Sequence, residues 1–185
     1  YGNNGAGTYR VFVQYSSDDG LTWGDGINVV SGATAYTECA IAFVSGSTDN
    51  TAKLVGVSRT NGGSLTQFSS TDGGATWSND GVLRFSVEAV DANTCDVSPW
   101  IYNDGGWLHL VYVDRVNMVL KHSIAEIENV TGNADAWFWP TVLHESDATN
   151  DIDFGYPSVG VYGGNLEIMF YDAVGAVDPD IYHSF

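Results

Sequence analysis

The sequence predicts an all-β fold, part of a β-propeller. Three observations carry that prediction. The pattern S-x-D-x-G-x-T-W occurs twice, at Ser16–Trp23 and at Ser70–Trp77, 54 positions apart. Repeats at such a period suit a four-stranded propeller blade. Aromatic residues make up 13% of the chain, and the aromatic-rich stretches alternate with turns built from its 22 glycines, the signature of short strands between tight turns. Thirteen short apolar or alternating stretches follow one another with no convincing helix between them.

The strands fall in order at 9–15, 26–30, 39–44, 52–59, 65–70, 82–87, 98–102, 107–113, 118–123, 141–146, 157–162, 166–172 and 180–185. The nearest approach to a helix is Ile124–Val130, which runs into a Gly-Asn-Ala-Asp loop. Aligned on the repeats, the strands group as 9–30 (the outer half of a blade), 37–87 and 96–146 (whole blades) and 156–185 (three strands of a closing blade). The 185 residues read as one domain. Propellers have roughly 4–8 blades of four strands, so three to four blades make about half of a six-bladed ring. A half ring leaves sheet edges unpaired. The expectation is that remaining propeller blades, or another chain, close it. The start at Tyr1, without Met or a signal peptide, reads as a protein that begins upstream.

Each repeat has a physical mechanism. Asp18 and Asp72, with Ser16, Thr22, Ser70 and Thr76, can bond backbone N–H groups inside a tight turn. Gly20 and Gly74 permit positive φ there. Trp23 and Trp77 then pack under the turn.

Composition narrows the partners. The net charge is −17, from 23 acidic and six Lys+Arg residues. Such a surface repels nucleic-acid phosphates and anionic lipid. No apolar run is long enough to span a membrane. Cys39 and Cys95 form no C-x-x-C or zinc pattern and read as buried free thiols, with a disulfide as the alternative. No metal is expected at the site. Glu145–Asp153 offers oxygen ligands for calcium but lacks an EF-hand pattern, and it reads as a solvated loop. His109, His122, His144 and His183 lie on or beside strands and read as structural.

The two repeats resemble the Asp-box of sialidases and related propellers. Three further segments resemble the C-terminal half of the sialidase (neuraminidase) superfamily: Thr37-Glu38-Cys39-Ala40-Ile41 followed by Leu54–Gly63; Leu108–Arg115 followed by Val119–Ser123; and Gly155-Tyr156-Pro157-Ser158-Val159 followed by Leu166–Tyr171 and Asp180–Phe185. The resemblance spans about Tyr9 to Phe185. It implies a glycoside hydrolase of terminal sialic or similar acidic sugars, secreted or on a virion surface, with a glycan as partner. Arginines of the family hold the sugar carboxylate, because a planar guanidinium gives bidentate, charge-assisted bonds. A Tyr nucleophile is an exception among glycosidases. Its ordinary pKa of about 10 makes it weak without a base beside it. By resemblance Glu38 is that base, Tyr156 the nucleophile, and Arg59 and Arg115 the carboxylate ligands.

The sequence also departs from the family. The segments that carry its first arginine and its acidic Asp have no counterpart here. Arg10 is no substitute, since it lies on a strand feeding the first repeat. A third box is degenerate: no D-x-G-x-T-W follows Ser123, and Trp137 is the candidate for the Trp position. Two further readings stay open. One is a catalytically silent glycan-binding module of a phage tail fibre or secreted adhesin. The other is a purely structural propeller.

Overall fold

In the computed structural model, the described residues are 2–3, 9–32, 36–46, 51–60, 63–86, 96–145, 155–172 and 180–184. They form four antiparallel sheets, each made of consecutive strands. The first holds β1 (Gly2–Asn3), β2 (Tyr9–Val13) and β3 (Ile27–Gly32). The second holds β4 (Tyr36–Ser45), β5 (Lys53–Thr60), β6 (Leu65–Ser70) and β7 (Ser78–Val82). The third holds β8 (Asp96–Asn103), β9 (Trp107–Asp114), β10 (Val119–Glu126) and β11 (Thr141–Glu145). The fourth holds β12 (Gly155–Tyr162), β13 (Asn165–Asp172) and β14 (Asp180–Ser184). Meandering sheets of this kind are propeller blades. The inner strand β8 lies between the inner strands β4 and β12 and contacts both.

Successive blades stack face to face, so a central blade is buried on both sides. In β9, Leu108, Leu110 and Tyr112 join a core shared with Val55, Val57, Leu65 and Phe85 of the second sheet. Val111 and Val113 point the other way, into a core with Val159, Ile168 and Phe170 of the fourth sheet. Alternation along the strand therefore serves two cores rather than a core and solvent. This is why β9 reads as a nearly continuous apolar run.

Both repeats fold into the same turn. Gly20 and Gly74 have φ of +87° and +90°, a region that costs glycine little. The Gly20 N–H donates to Ser16 Oγ at 2.8 Å and the Thr22 N–H to Asp18 Oδ1 at 2.8 Å. The Gly74 N–H donates to Ser70 Oγ at 2.8 Å and the Thr76 N–H to Asp72 Oδ1 at 2.9 Å. Bonds led by the Ser16 hydroxyl hold the Asp18 carboxyl at about 2. Bonds led by the Thr76 hydroxyl do the same for Asp72.

The two tryptophans differ. Trp77 is half-buried. It lies against Gly56 of β5, whose added Cβ would meet its ring at 3.9 Å, and its Nε1–H donates to the Gly74 carbonyl at 3.0 Å. Trp23, expected to be buried, is 62% exposed. The difference lies in the neighbouring strand. Gly56 floors Trp77 by pairing with Phe68, and the position equivalent to Phe68 in the first repeat is Gln14. The described part of β1 pairs only with Tyr9 and Arg10, so no described strand lies beside Gln14 on that side. Trp23→Ala should therefore change stability by about 0.5 kcal/mol or less, and Trp77→Ala should cost about 0.5–3 kcal/mol. Paired denaturant titrations check this, and equal costs would contradict the packing difference.

Other expectations also shift. The strand placed at 82–87 is instead Ser78–Val82, leaving directly after Trp77 to pair with β6. Leu83–Ser86 caps the end of β6, with the Leu83 N–H on Leu65 O at 2.9 Å and the Leu65 N–H on Ser86 Oγ at 2.7 Å. Between β10 and β11 no box forms. A helical turn, α1 (Ile127–Val130), and a 3-10 turn (Ala134–Ala136) stand in its place. Trp137 does not cover a box turn. It is fully buried in the core between the second and third sheets, and its Nε1–H donates to Gln67 Oε1 at 2.7 Å. Cys39, expected to be buried, is an exposed residue with a free thiol, lining the cleft between the first and second sheets, and Cys95 lies outside the described residues.

The third sheet also carries a polar chain on the face it turns to the fourth. Asp104 Oδ2 lies 3.0 Å from His109 Nε2, and His109 Nδ1 lies 3.0 Å from His122 Nε2. Burial opposes ionisation of Asp104, but bonds from the Gly106 N–H, His109 and the Trp107 N–H hold it at about 2. An anionic Asp104 only accepts, so His109 Nε2 donates to it. A neutral His109 then accepts at Nδ1 from His122. Burial, with His109 beside it, pushes His122 down to about 4. A histidine whose folded pKa lies below the unfolded 6.5 stabilises fully above that value, and the contribution is lost as pH falls toward about 4. The denaturation midpoint should therefore drop between pH 7.5 and pH 5, and the drop should shrink in His122→Gln. An equal drop in the variant would rule out this source.

Candidate functional site

The register places the candidate residues at one axial end. The starts of β4, β8 and β12 pair with the ends of β5, β9 and β13. The box turn of the second sheet joins β6 to β7 at the opposite end, where Leu54 pairs with Ser70.

Each inner strand carries a one-residue bulge near its start. The pairing shifts between Tyr36 and Cys39 in β4, between Val97 and Trp100 in β8, and between Gly155 and Ser158 in β12. The bulged pairs are Thr37-Glu38, Ser98-Pro99 and Tyr156-Pro157. A bulge leaves one residue out of the ladder and re-aims its side chain, which is why bulges gather beside functional sites. Proline fits such a position because it has no N–H to pair. Ser98 has a φ of +53°, the backbone expression of this bulge.

Glu38 leaves its bulge toward the neighbouring blade. Its Oε2 accepts the Ser98 N–H at 2.7 Å and pairs with Arg59 Nε at 3.1 Å. The structure thus brings Glu38 and Arg59 of one blade together with the Ser98 N–H of the next. Arg59 comes from the end of β5, across from the β4 bulge. The pair is largely buried, with side-chain exposures of 16% for Arg59 and 29% for Glu38. Desolvation of this order strengthens a charge pair relative to open water.

Glu38 also lines a cleft of about 450 Å³ between the first and second sheets, with Arg10, Val11, Phe12, Tyr36, Thr37 and Cys39. Arg10 does lie on the strand that feeds the first repeat, yet it faces the same cleft as Glu38. Cys39 is exposed as a residue, but its sulfur is turned in against Thr37 and Ser58: that enclosure raises the thiol's pKa, and the thiol donates to the Thr37 carbonyl at 2.6 Å.

Arg115 follows β9 on the turn to β10. By register, Tyr112 holds the place in the third sheet that Arg59 holds in the second, and Arg115 lies three residues further on. The neighbouring Asp114, a natural ion-pair partner by sequence, accepts from Lys121 Nζ at 2.5 Å, from Asn117 Nδ2 at 2.7 Å and from the Val116 N–H at 3.0 Å. These bonds outweigh the burial that opposes them and lower its pKa. Tyr156 occupies the β12 bulge in register with Thr37 and Ser98, and its side chain lies outside the described residues. Most of the acidic stretch at 145–153 lies outside them as well.

Sequence reasoning missed Ser98 and the place of Arg10. A signal existed for the first. Ser98-Pro99 and Tyr156-Pro157 are the same hydroxyl-Pro pair near the start of successive inner strands.

No protein-family model matches the chain. A search of curated proteins also finds no match. Solved structures do match. AofleA from Arthrobotrys oligospora aligns over 95% of this chain and 50% of its own, with a TM-score of 0.54 and 15% identity. The sialidase of Trypanosoma rangeli, solved with the inhibitor DANA, aligns over 94% of this chain and 27% of its own, with a TM-score of 0.55 and 18% identity. The intramolecular trans-sialidase of Ruminococcus gnavus, solved with oseltamivir carboxylate, aligns over 85% and 32%, with a TM-score of 0.51 and 18% identity. The chain therefore spans half or less of the length of these proteins. Four consecutive meander sheets, stacked blade on blade and superposable on these structures, give this chain the fold of part of a sialidase-like β-propeller.

Proposed function

We propose that this chain is part of a propeller that cleaves a terminal sialic acid or a similar acidic sugar from a glycan. The observation that supports the reading best is the Glu38 carboxylate, held by the Ser98 N–H and Arg59 at the bulged axial end. A carboxylate fixed there can accept a proton from a phenol that reaches it across the axial end, and Tyr156 sits on the matching bulge two blades on. In this reading Arg59 and Arg115 take the sugar carboxylate, Glu38 is the base and Tyr156 the nucleophile. A charged nucleophile would face an anionic substrate, whereas a neutral phenol does not. Residues 1–185 make up one partial propeller, and further blades close the ring. The protein acts outside the cell or on a virion surface.

One observation favours the second reading, a glycan-binding propeller without catalysis. The Arg59–Glu38 pair already opposes the arginine's charge, which weakens its pull on a ligand carboxylate and burdens Glu38 as a base.

Hydrolysis of a fluorogenic sialoside by the protein with its ring complete, together with saturation-transfer NMR using N-acetylneuraminic acid, separates the two. Turnover supports the enzyme. Binding without turnover, lost in Arg59→Ala, supports the binding module. Neither turnover nor binding rejects both.

A further inference from the structure

Trp139 lies on the outside of the junction between the second and third sheets. Its backbone is pinned on both sides. Trp137 is fully buried and bonded to Gln67. The Phe138 N–H donates to Ile124 O at 2.8 Å, and the Phe138 carbonyl accepts the Ser123 hydroxyl at 2.6 Å. Pro140 follows, with φ fixed by its ring. Despite this anchoring, the Trp139 side chain is 68% exposed.

Its surroundings are organised. Phe85, stacked on Tyr112 at 5.8 Å, supports the indole from the core side at 6.5 Å. The guanidinium carbon of Arg84 stands 5.9 Å from the Trp139 ring centroid, within cation–π range. Arg84 is exposed and makes no ion pair among the described residues. That is unexpected in a chain with 23 acidic residues and six cations. An exposed indole on an anchored backbone, beside an arginine with no ion pair among the described residues, is a preformed surface. It loses little conformational entropy when a ligand arrives.

We propose that Trp139 and Arg84 form a second carbohydrate-binding platform, for a pyranose that bears one carboxylate. The apolar C–H face of the sugar stacks on the indole. The guanidinium takes the carboxylate through its paired N–H donors. A single carboxylate fits the charge balance, because a polyanion would be repelled by the net charge of −17. The residues it uses, Trp139, Arg84 and Phe85, are not among those that carry the axial reading, so the inference does not rest on that reading. In a glycan-acting protein it would hold the chain near the cleft and raise its effective concentration there.

The test is a titration of the ¹⁵N-labelled 185-residue chain with methyl β-glucuronide and with methyl β-glucoside, following the indole N–H signals. The Trp139 signal, assigned by its loss in Trp139→Phe, should shift with both. The glucuronide should bind about fivefold more tightly, the size of one exposed ion pair. Arg84→Gln should abolish that preference and leave the glucoside affinity unchanged. Trp139→Ala should abolish binding at an unchanged thermal midpoint. Arg59→Ala should leave every shift in place. No shift at Trp139, equal affinity for the two sugars, or loss of the shift in Arg59→Ala would each overturn the proposal.

Discussion

Trp137→Ala is expected to lower stability by about 3–5 kcal/mol, the usual cost of removing a buried aromatic. That is a large share of the roughly 5–15 kcal/mol that holds a domain folded. Two effects combine. The indole is fully buried in the core between the second and third sheets, so its loss leaves a cavity there. Its Nε1–H also satisfies Gln67 Oε1. Gln67 is itself fully buried and fully used, because its Nε2 donates to Asp80 Oδ2 at 2.7 Å and to the Val130 carbonyl at 2.8 Å. Losing Trp137 strands one acceptor of that network, and a buried unpaired polar group costs about 1–3 kcal/mol. Trp137→Phe keeps most of the volume and strands the same acceptor, so it should cost less than the alanine but clearly more than zero. Guanidinium denaturation of the three proteins measures this. An alanine variant within 1 kcal/mol of the parent would show that the two blades do not share a core.

Glu38→Gln, in the protein with a complete ring, is expected to lower kcat by about 10²–10⁴, the range for loss of a general base. Glutamine keeps the shape and can still accept the Ser98 N–H, but it neither takes a proton nor neutralises Arg59. KM should fall or stay level, because Arg59 is freed toward the ligand carboxylate. Tyr156→Phe should remove activity at least as severely, while Arg59→Ala should raise KM as well. The 185 residues alone should not turn over a sialoside, since half a ring leaves the axial end open to water and every charge interaction there weaker. Steady-state kinetics on the completed protein decides. Full activity in Glu38→Gln or Tyr156→Phe would remove the mechanism.

Much of the fold was legible because it rests on local rules. The two S-x-D-x-G-x-T-W turns are written in adjacent side chains, and both form as their chemistry dictates. Alternation and glycine spacing located the strands because they report burial within a few residues. What failed depended on neighbours distant in sequence. Trp23 and Trp77 share one motif, yet among the described residues only Trp77 has a strand beside it to close on. Trp137 stood at a plausible box position, yet its partner Gln67 lies on another blade. The expected strand at 82–87 had the right composition, but pairing with β6 began earlier and left Leu83–Ser86 to cap it.

The candidate site divides in the same way. Sequence by itself determined which residue types are present: a glutamate and a tyrosine at inner-strand starts, and arginines at or beyond the ends of the next strands. Only the tertiary structure decided their company. The bulges at Thr37-Glu38, Ser98-Pro99 and Tyr156-Pro157 arise from pairing between strands, and the bond from the Ser98 N–H to Glu38 crosses from one blade to the next. Such contacts join residues 60 positions apart. Local propensity carries no information at that range, and packing between blades sets it.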